Sequence, residues 1–234
     1  GKSMFARMMY EYRQASTQHK GAFVTFNCAD YAHNPQLLLS QIFGSVKGSF
    51  TGASQDRQGL LERADGGMLL LDEIHRLPPE GQEMLFTYLD TGCYRRLGET
   101  MDGRQAQVFI VAATTEQPDS VLLKTFRRRI PMEIQLPKLA ERPLNERIAL
   151  IRLFCEEEGK QLKKNIVLEP VAAQAFIAYD CPGNVGQLKK DIQLSCAHAY
   201  VEQRSEKTLT ILQSHLPSEV KRGALRLRYM TEKL

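Results

Sequence analysis

The sequence has no long hydrophobic run. No apolar stretch in its 234 residues approaches the roughly 20 needed to span a bilayer. Its opening residues lack the pattern of a secretory signal. No membrane partner is therefore expected, and a cytoplasmic location is. A disulfide framework is missing too. The five cysteines, Cys28, Cys93, Cys155, Cys181 and Cys196, are odd in number and scattered, with no C-x-x-C pair. Neither structural disulfides nor a zinc site is expected, and a reducing compartment fits. Neither sign of charge is in large excess, with 31 basic and 27 acidic residues. A net charge of +4 permits a nucleic-acid neighbour without arguing for one. No recognition-helix or zinc-finger spacing is present, so direct base reading is not expected within this chain. With 43% hydrophobic and 25% charged residues, the remainder suits one large globular domain or two small ones.

Between Gly44 and Ala53 lies a stretch poorly suited to buried structure. Its three glycines interrupt any helix, yet Phe50 and Thr51 sit at its tip with glycines bracketing them. A loop offering one aromatic ring and one hydroxyl suits contact with a partner. A turn whose Phe50 folds back onto the core is the alternative reading. A short helix at 36–43 leads into this loop, and 56–64, with Leu60 and Leu61, returns from it. The loop is thus expected as an insertion within a helix.

Met68-Leu69-Leu70-Leu71 predicts a strand buried on both faces, as parallel sheets require. Asp72 and Glu73 follow at its carboxyl end, where open α/β sheets bind ligands. Chemistry divides their labour: Asp72 would hold Mg2+, a hard cation that takes oxygen ligands, and Glu73 would activate a water for phosphoryl transfer. A strand ending in solvated acids is the plain alternative. Asp72-Glu73-Ile74-His75 also reads as the D-E-x-H of a helicase superfamily, but the Q-x-x-G-R-x-x-R partner motif is absent. Further strands are expected at 22–28 and, buried, at 108–115. Gly1-Lys2-Ser3 resembles the tail of a P-loop, G-x-x-x-x-G-K-[ST], opening a helix at 2–18 with Phe5, Met8, Met9 and Tyr12 on an apolar face. Gly1 and the helix start would cradle phosphates, Lys2 would reach them, and the Ser3 hydroxyl would ligate Mg2+. Because the sequence opens inside that motif, a fragment of something larger is expected.

Gly48-Ser49-Phe50-Thr51-Gly52-Ala53 resembles the GAFTGA loop of the sigma-54-dependent transcription activators, with Ser49 for the first alanine. Asn27-Cys28-Ala29, Ala64-Asp65-Gly66-Gly67, a second loop at 92–98, Leu136-Pro137-Lys138-Leu139 and Pro182-Gly183-Asn184-Val185 are similar to further segments of that family. The resemblance implies an AAA+ P-loop NTPase of α/β class. A parallel-sheet subdomain at 1–140 would precede a small α-helical lid at 141–215, with helices at 144–158, 170–179 and 185–202. Residues 216–234 would be a linker or the start of another domain. It further implies ATP and Mg2+ as cofactors, and Asn27 as a switch bonded to the catalytic Glu73. Thr114 would lie near the γ-phosphate, and Arg129, with Arg128 beside it and a strand at 131–134 following, would act as a finger on a neighbouring subunit. The implied partners are the sigma-54 RNA polymerase holoenzyme, touched by residues 48–53, and copies of the chain in a hexameric or heptameric ring. DNA binding would belong to a domain outside this sequence.

Three further positions depart from the family pattern: Thr115 stands for an asparagine, Cys181 for a tryptophan and Gly186 for the second-sensor arginine. With Arg128-Arg129-Ile130-Pro131, Gly186-Gln187-Leu188 and the segment 216–221, they resemble the LevR-type branch, which carries phosphotransferase regulatory domains. Another AAA+ remodelling ATPase, or an oligomerisation module with impaired hydrolysis, remains the alternative.

Overall fold

Four aliphatic side chains decide the first half of the molecule. Met68–Leu71 are each at most 2% exposed. They are the heart of strand β2 (Met68–Asp72), which is flanked by β1 (Phe23–Asn27) and β3 (Phe109–Ala112) in a parallel sheet. The computed structural model describes residues 1–16, 21–100, 103–130 and 132–223. Two compact units result, Lys2–Ile134 and one beginning at Gln135.

Alternation along β2 feeds two layers. Leu69 and Leu71 join the main core with Leu38, Ile42, Phe43 and Leu61. Leu70 faces a smaller cluster with Ala6 and Ala113. Helix α1 (Lys2–Ser16) meets the sheet through Ala6 and through Tyr10, whose ring stacks on Phe23 and whose hydroxyl donates to the Gly21 carbonyl. The apolar face expected on α1 is largely uncovered, with Met8 and Tyr12 exposed. Its expected end at Gln18 lies outside the described residues. Helix α2 (Pro35–Phe43) is capped by Asn34, which accepts from the Leu37 N–H, and opens on a proline preset for a first turn. Helix α3 (Pro79–Thr91) covers the same core through Leu85 and Tyr88.

Three expectations need correction. The return from the Phe50 loop is a two-residue antiparallel ribbon, Gly44–Ser45 with Arg57–Gln58, and only then a short helix, Leu60–Arg63. Gly44 ends α2 at φ +86°, so the chain leaves as a strand rather than continuing the helix. β3 is not buried: it lies at the end of the described sheet, and Phe109 is exposed beneath the Arg13 guanidinium. Residues 132–134, expected as a strand, have no regular structure, and no described strand pairs with them; Pro131 lies outside the described residues.

The second unit holds α4 (Leu144–Leu162), α5 (Pro170–Ala178) and α6 (Asn184–Glu202) around Ile151, Phe154, Phe176, Leu188 and Ile192. It is not wholly helical. β4 (Asn165–Leu168) pairs in parallel with β5 (Thr208–Ile211), putting Leu209 and Ile211 into that core. The tail from residue 224 lies outside the described residues. No described helix is long and apolar enough to cross a membrane.

The sheet permits no side chain where β2 begins. A Cβ on Gly67 would lie 2.2 Å from the Ala22 carbonyl oxygen. Gly67→Ala is expected to push β1 from β2 and destabilise the first unit by about 2–3 kcal/mol, read as a lower urea midpoint at unchanged slope.

Candidate active site

Parallel register brings the polar residues together. Asn27 lies opposite Asp72, and Leu71 opposite Ala112, so three strands end at one edge. Beyond it the backbone remains tied: the Ala113 N–H donates to the Leu71 carbonyl and the Ile74 N–H to the Ala113 carbonyl. Between those bonds Glu73 adopts a left-handed conformation, φ 50° and ψ 46°. For a residue with a Cβ this costs about 1–3 kcal/mol and turns the side chain away from the strand direction.

The Glu73 carboxylate is held from several sides. Thr115 Oγ1 donates to Oε2 at 2.8 Å, His75 Nδ1 lies 3.2 Å from the same oxygen, and Lys2 Nζ is 3.7 Å from Oε1. His75 Nδ1 is also 3.0 Å from Thr114 Oγ1, which accepts from the Glu116 N–H. Asp72 Oδ1 accepts from the Glu73 N–H. Beneath the acids, burial first and the nearby Asp72 charge second push the Cys28 thiol up to about 12, so it stays neutral. Lys2 and Ser3 form the first turn of α1, which has no acidic residue there, and Gly1 precedes it.

The expected link from Asn27 to Glu73 is not made. The Asn27 amide donates to Asp30, and its oxygen accepts from the Ala29 N–H. Thr115 and His75 hold the glutamate instead, neither of them assigned that task from sequence. The signal was available in His75, read only as part of a helicase motif. Arg129 binds Asp90 at 2.7 Å and covers the Phe86 ring on α3, and Arg127 pairs with Asp119. Arg128 is exposed. Gly186 lies on the first turn of α6, and nothing falls within 4 Å of a Cβ built there.

A second cluster carries the Phe50 loop. Within it the Gly48 N–H donates to the Ala53 carbonyl and the Ala53 N–H to the Phe50 carbonyl, with Gly48 and Gly52 at positive φ. Phe50 is half-buried and Thr51 exposed. The stem is laced to the second loop: the Val46 N–H donates to the Leu97 carbonyl and the Leu97 N–H to the Gly44 carbonyl. Gly98, at φ +77°, sits where a Cβ would be 2.6 Å from that of Ser49. Beneath lies an ion network missed from sequence, Arg96 to Glu62 at 2.7 Å and Arg104 to Glu99 at 3.2 Å. The Glu99 carboxyl is held below its usual range, chiefly by the Arg96 backbone N–H.

Oxygen donors at the carboxyl edge of a parallel sheet, with a lysine from the start of the neighbouring helix beside them, put this chain in the AAA+ class of P-loop α/β proteins. Solved structures agree. NtrX from Brucella abortus superposes at a TM-score of 0.73 and 25% identity, covering 94% of this chain and 48% of that one. NtrX solved in complex with ATP gives 0.72 at 25% identity, covering 100% of this chain and 52% of that one. More narrowly, the chain belongs to the Sigma-54 interaction domain family, which matches residues 1–139. Transcriptional regulatory protein LevR of Bacillus subtilis is 51% identical over 94% of this chain and 24% of its own length. For DagR of Salmonella typhimurium the figures are 44%, 90% and 23%. The chain spans about a quarter of these curated relatives.

Ser49 Oγ is buried and, among the described residues, has no hydrogen-bond partner. Ser49→Ala is expected to stabilise the loop base by about 1 kcal/mol, measured as a raised urea midpoint. A lowered midpoint would mean that the hydroxyl has a partner after all.

Proposed function

We propose that this chain is the ATP-hydrolysing engine of a sigma-54-dependent transcription activator. The observation that carries the reading is Glu73, turned out of a buried strand by a left-handed residue and held beside Asp72 and Lys2. Lys2 and the start of α1 would take up phosphate oxygens, since a helix start presents N–H groups without intrahelical partners and this one has no competing acid in its first turn. The residues fit Mg2+ as well: Asp72 and the Ser3 hydroxyl are hard oxygen donors, with the nucleotide completing the shell. Bound there, Mg2+ would neutralise charge on the phosphates. Among the described residues no three His, Cys, Asp or Glu gather to hold a metal by themselves.

Glu73 orients a water against the terminal phosphate and accepts its proton. Thr114 lies at the same edge to sense that phosphate. Arg129, half-exposed and paired with Asp90 of α3, is the residue we assign to a neighbouring subunit's nucleotide in a hexameric or heptameric ring, with Arg128 next to it. The exposed Thr51 and the half-buried Phe50 meet the sigma-54 holoenzyme, and hydrolysis remodels the closed complex through that loop. Regulatory and DNA-binding parts belong to the remainder of such an activator.

Glu73→Gln, assayed in the full-length protein, is expected to lose hydrolysis by at least about 10²-fold while retaining ATP. Undiminished turnover ends the base assignment. Capture of sigma-54 in the presence of ADP and a metal-fluoride phosphate mimic is expected for the wild-type protein and not for Thr51→Ala. Capture by neither removes sigma-54 as the client and favours another AAA+ remodeller.

A further inference from the structure

We propose that His75 is a positioning residue for Glu73, donating an Nδ1–H bond to its carboxylate and tying that carboxylate to Thr114. The inference rests on the ATPase reading above. The imidazole is nearly enclosed, with 8% of its side chain exposed, so little of the ring is open to water. Two oxygens face that nitrogen, Glu73 Oε2 at 3.2 Å and Thr114 Oγ1 at 3.0 Å. An ionised carboxylate only accepts. A bare Nδ1 lone pair set against it would be repelled, whereas a proton on Nδ1 satisfies both oxygens.

The proton assignment has a consequence for Thr114. Its Oγ1 then accepts twice, from His75 and from the Glu116 N–H, which leaves its own hydroxyl proton free to be given to an anion. Thr115 holds Glu73 Oε2 from a second direction. His75 thereby connects the hydroxyl that would meet the terminal phosphate with the carboxylate that would activate water. Asn27, engaged by Asp30 and Ala29, provides no such connection in this structure. The same three contacts explain how a left-handed Glu73 keeps one side-chain direction: Thr115, His75 and Lys2 surround its two oxygens.

The test pairs kinetics with a direct view of the ring. His75→Ala is expected to lower kcat for ATP about 10²-fold, as misplacement of a reacting group does, with KM within about twofold because the phosphate-facing Lys2 and Ser3 are untouched. His75→Asn, whose amide N–H can take the place of Nδ1–H, is expected to recover most of that loss. Equal losses in both variants, a loss confined to KM, or an unaltered kcat in His75→Ala would overturn the assignment. NMR of nitrogen-labelled histidine in the wild-type protein reads the ring without nucleotide. A proton on Nδ1 whose signal shifts in Glu73→Ala is expected, and a ring protonated only at Nε2 would sink the proposal. If the full-length wild-type protein shows no turnover, the ATPase reading fails, and the imidazole signal still decides whether the bond to Glu73 exists.

Discussion

The parallel register of β2 with its two neighbours is the constraint on which the rest depends. Because Met68–Leu71 are buried on both faces, the strand has no freedom to slip: a shift by one residue would exchange the side chains given to the two layers. The register therefore fixes the height at which the first polar residue emerges, and that residue is Asp72, level with Asn27. Glu73 follows in a conformation that local energetics disfavour. The bonds on either side of it, from Ala113 N–H to Leu71 and from Ile74 N–H to Ala113, hold the turn from both ends. Strain of about 1–3 kcal/mol at one residue is stable here because the surrounding ladder over-determines it.

That hierarchy explains what could be read from sequence. An unbroken aliphatic run ending in two acids has few other structural meanings, so β2, its parallel setting and the carboxylate edge were legible. The two-residue ribbon at Gly44–Ser45 and Arg57–Gln58 was not, since a period of two has no signature over two residues. The pairing of β4 with β5 joins segments 43 positions apart in register, Asn165 with Thr208, with α5 and α6 between them. Composition there read as helix and nothing else. The donor from Thr115 to Glu73 was hidden for the same reason. Thr115 is 42 residues away, and only the crossover that lays β3 beside β2 brings it near. α1 misled in the other direction: its apolar positions were real, yet Ala6 makes the buried contact while Met8 and Tyr12 stay exposed.

The Phe50 loop follows a different logic. Its tip contains the glycines that accept positive φ, at Gly48 and Gly52, whereas its base is crowded. Gly98 lies against Ser49 so closely that no Cβ fits, and backbone bonds join Val46 and Gly44 to Leu97. Arg96 lies almost wholly out of solvent under this junction and meets Glu62 at 2.7 Å. Exposed ion pairs contribute little, but removing one partner of an enclosed pair leaves a charge without solvent. Glu62 belongs to the short helix that runs into Ala64–Gly67 and so into β2. The loop base is thus joined to the central strand by a short, packed connection, and the tip extends beyond it.

Two threonines and a histidine at the sheet edge show how one requirement can be met by different residues. A catalytic carboxylate needs donors that fix its direction, and a family pattern in which an asparagine performs that task is one solution. Here the Asn27 amide turns to its own strand end, where it caps the following turn through Ala29 and Asp30. Thr115, standing where the family pattern has asparagine, supplies a donor to Glu73 from the opposite neighbour of β2. The glutamate is therefore oriented from the β3 side of the sheet rather than the β1 side. That is the side on which Thr114 lies, so the group that meets the carboxylate and the hydroxyl we propose for the phosphate share one strand end.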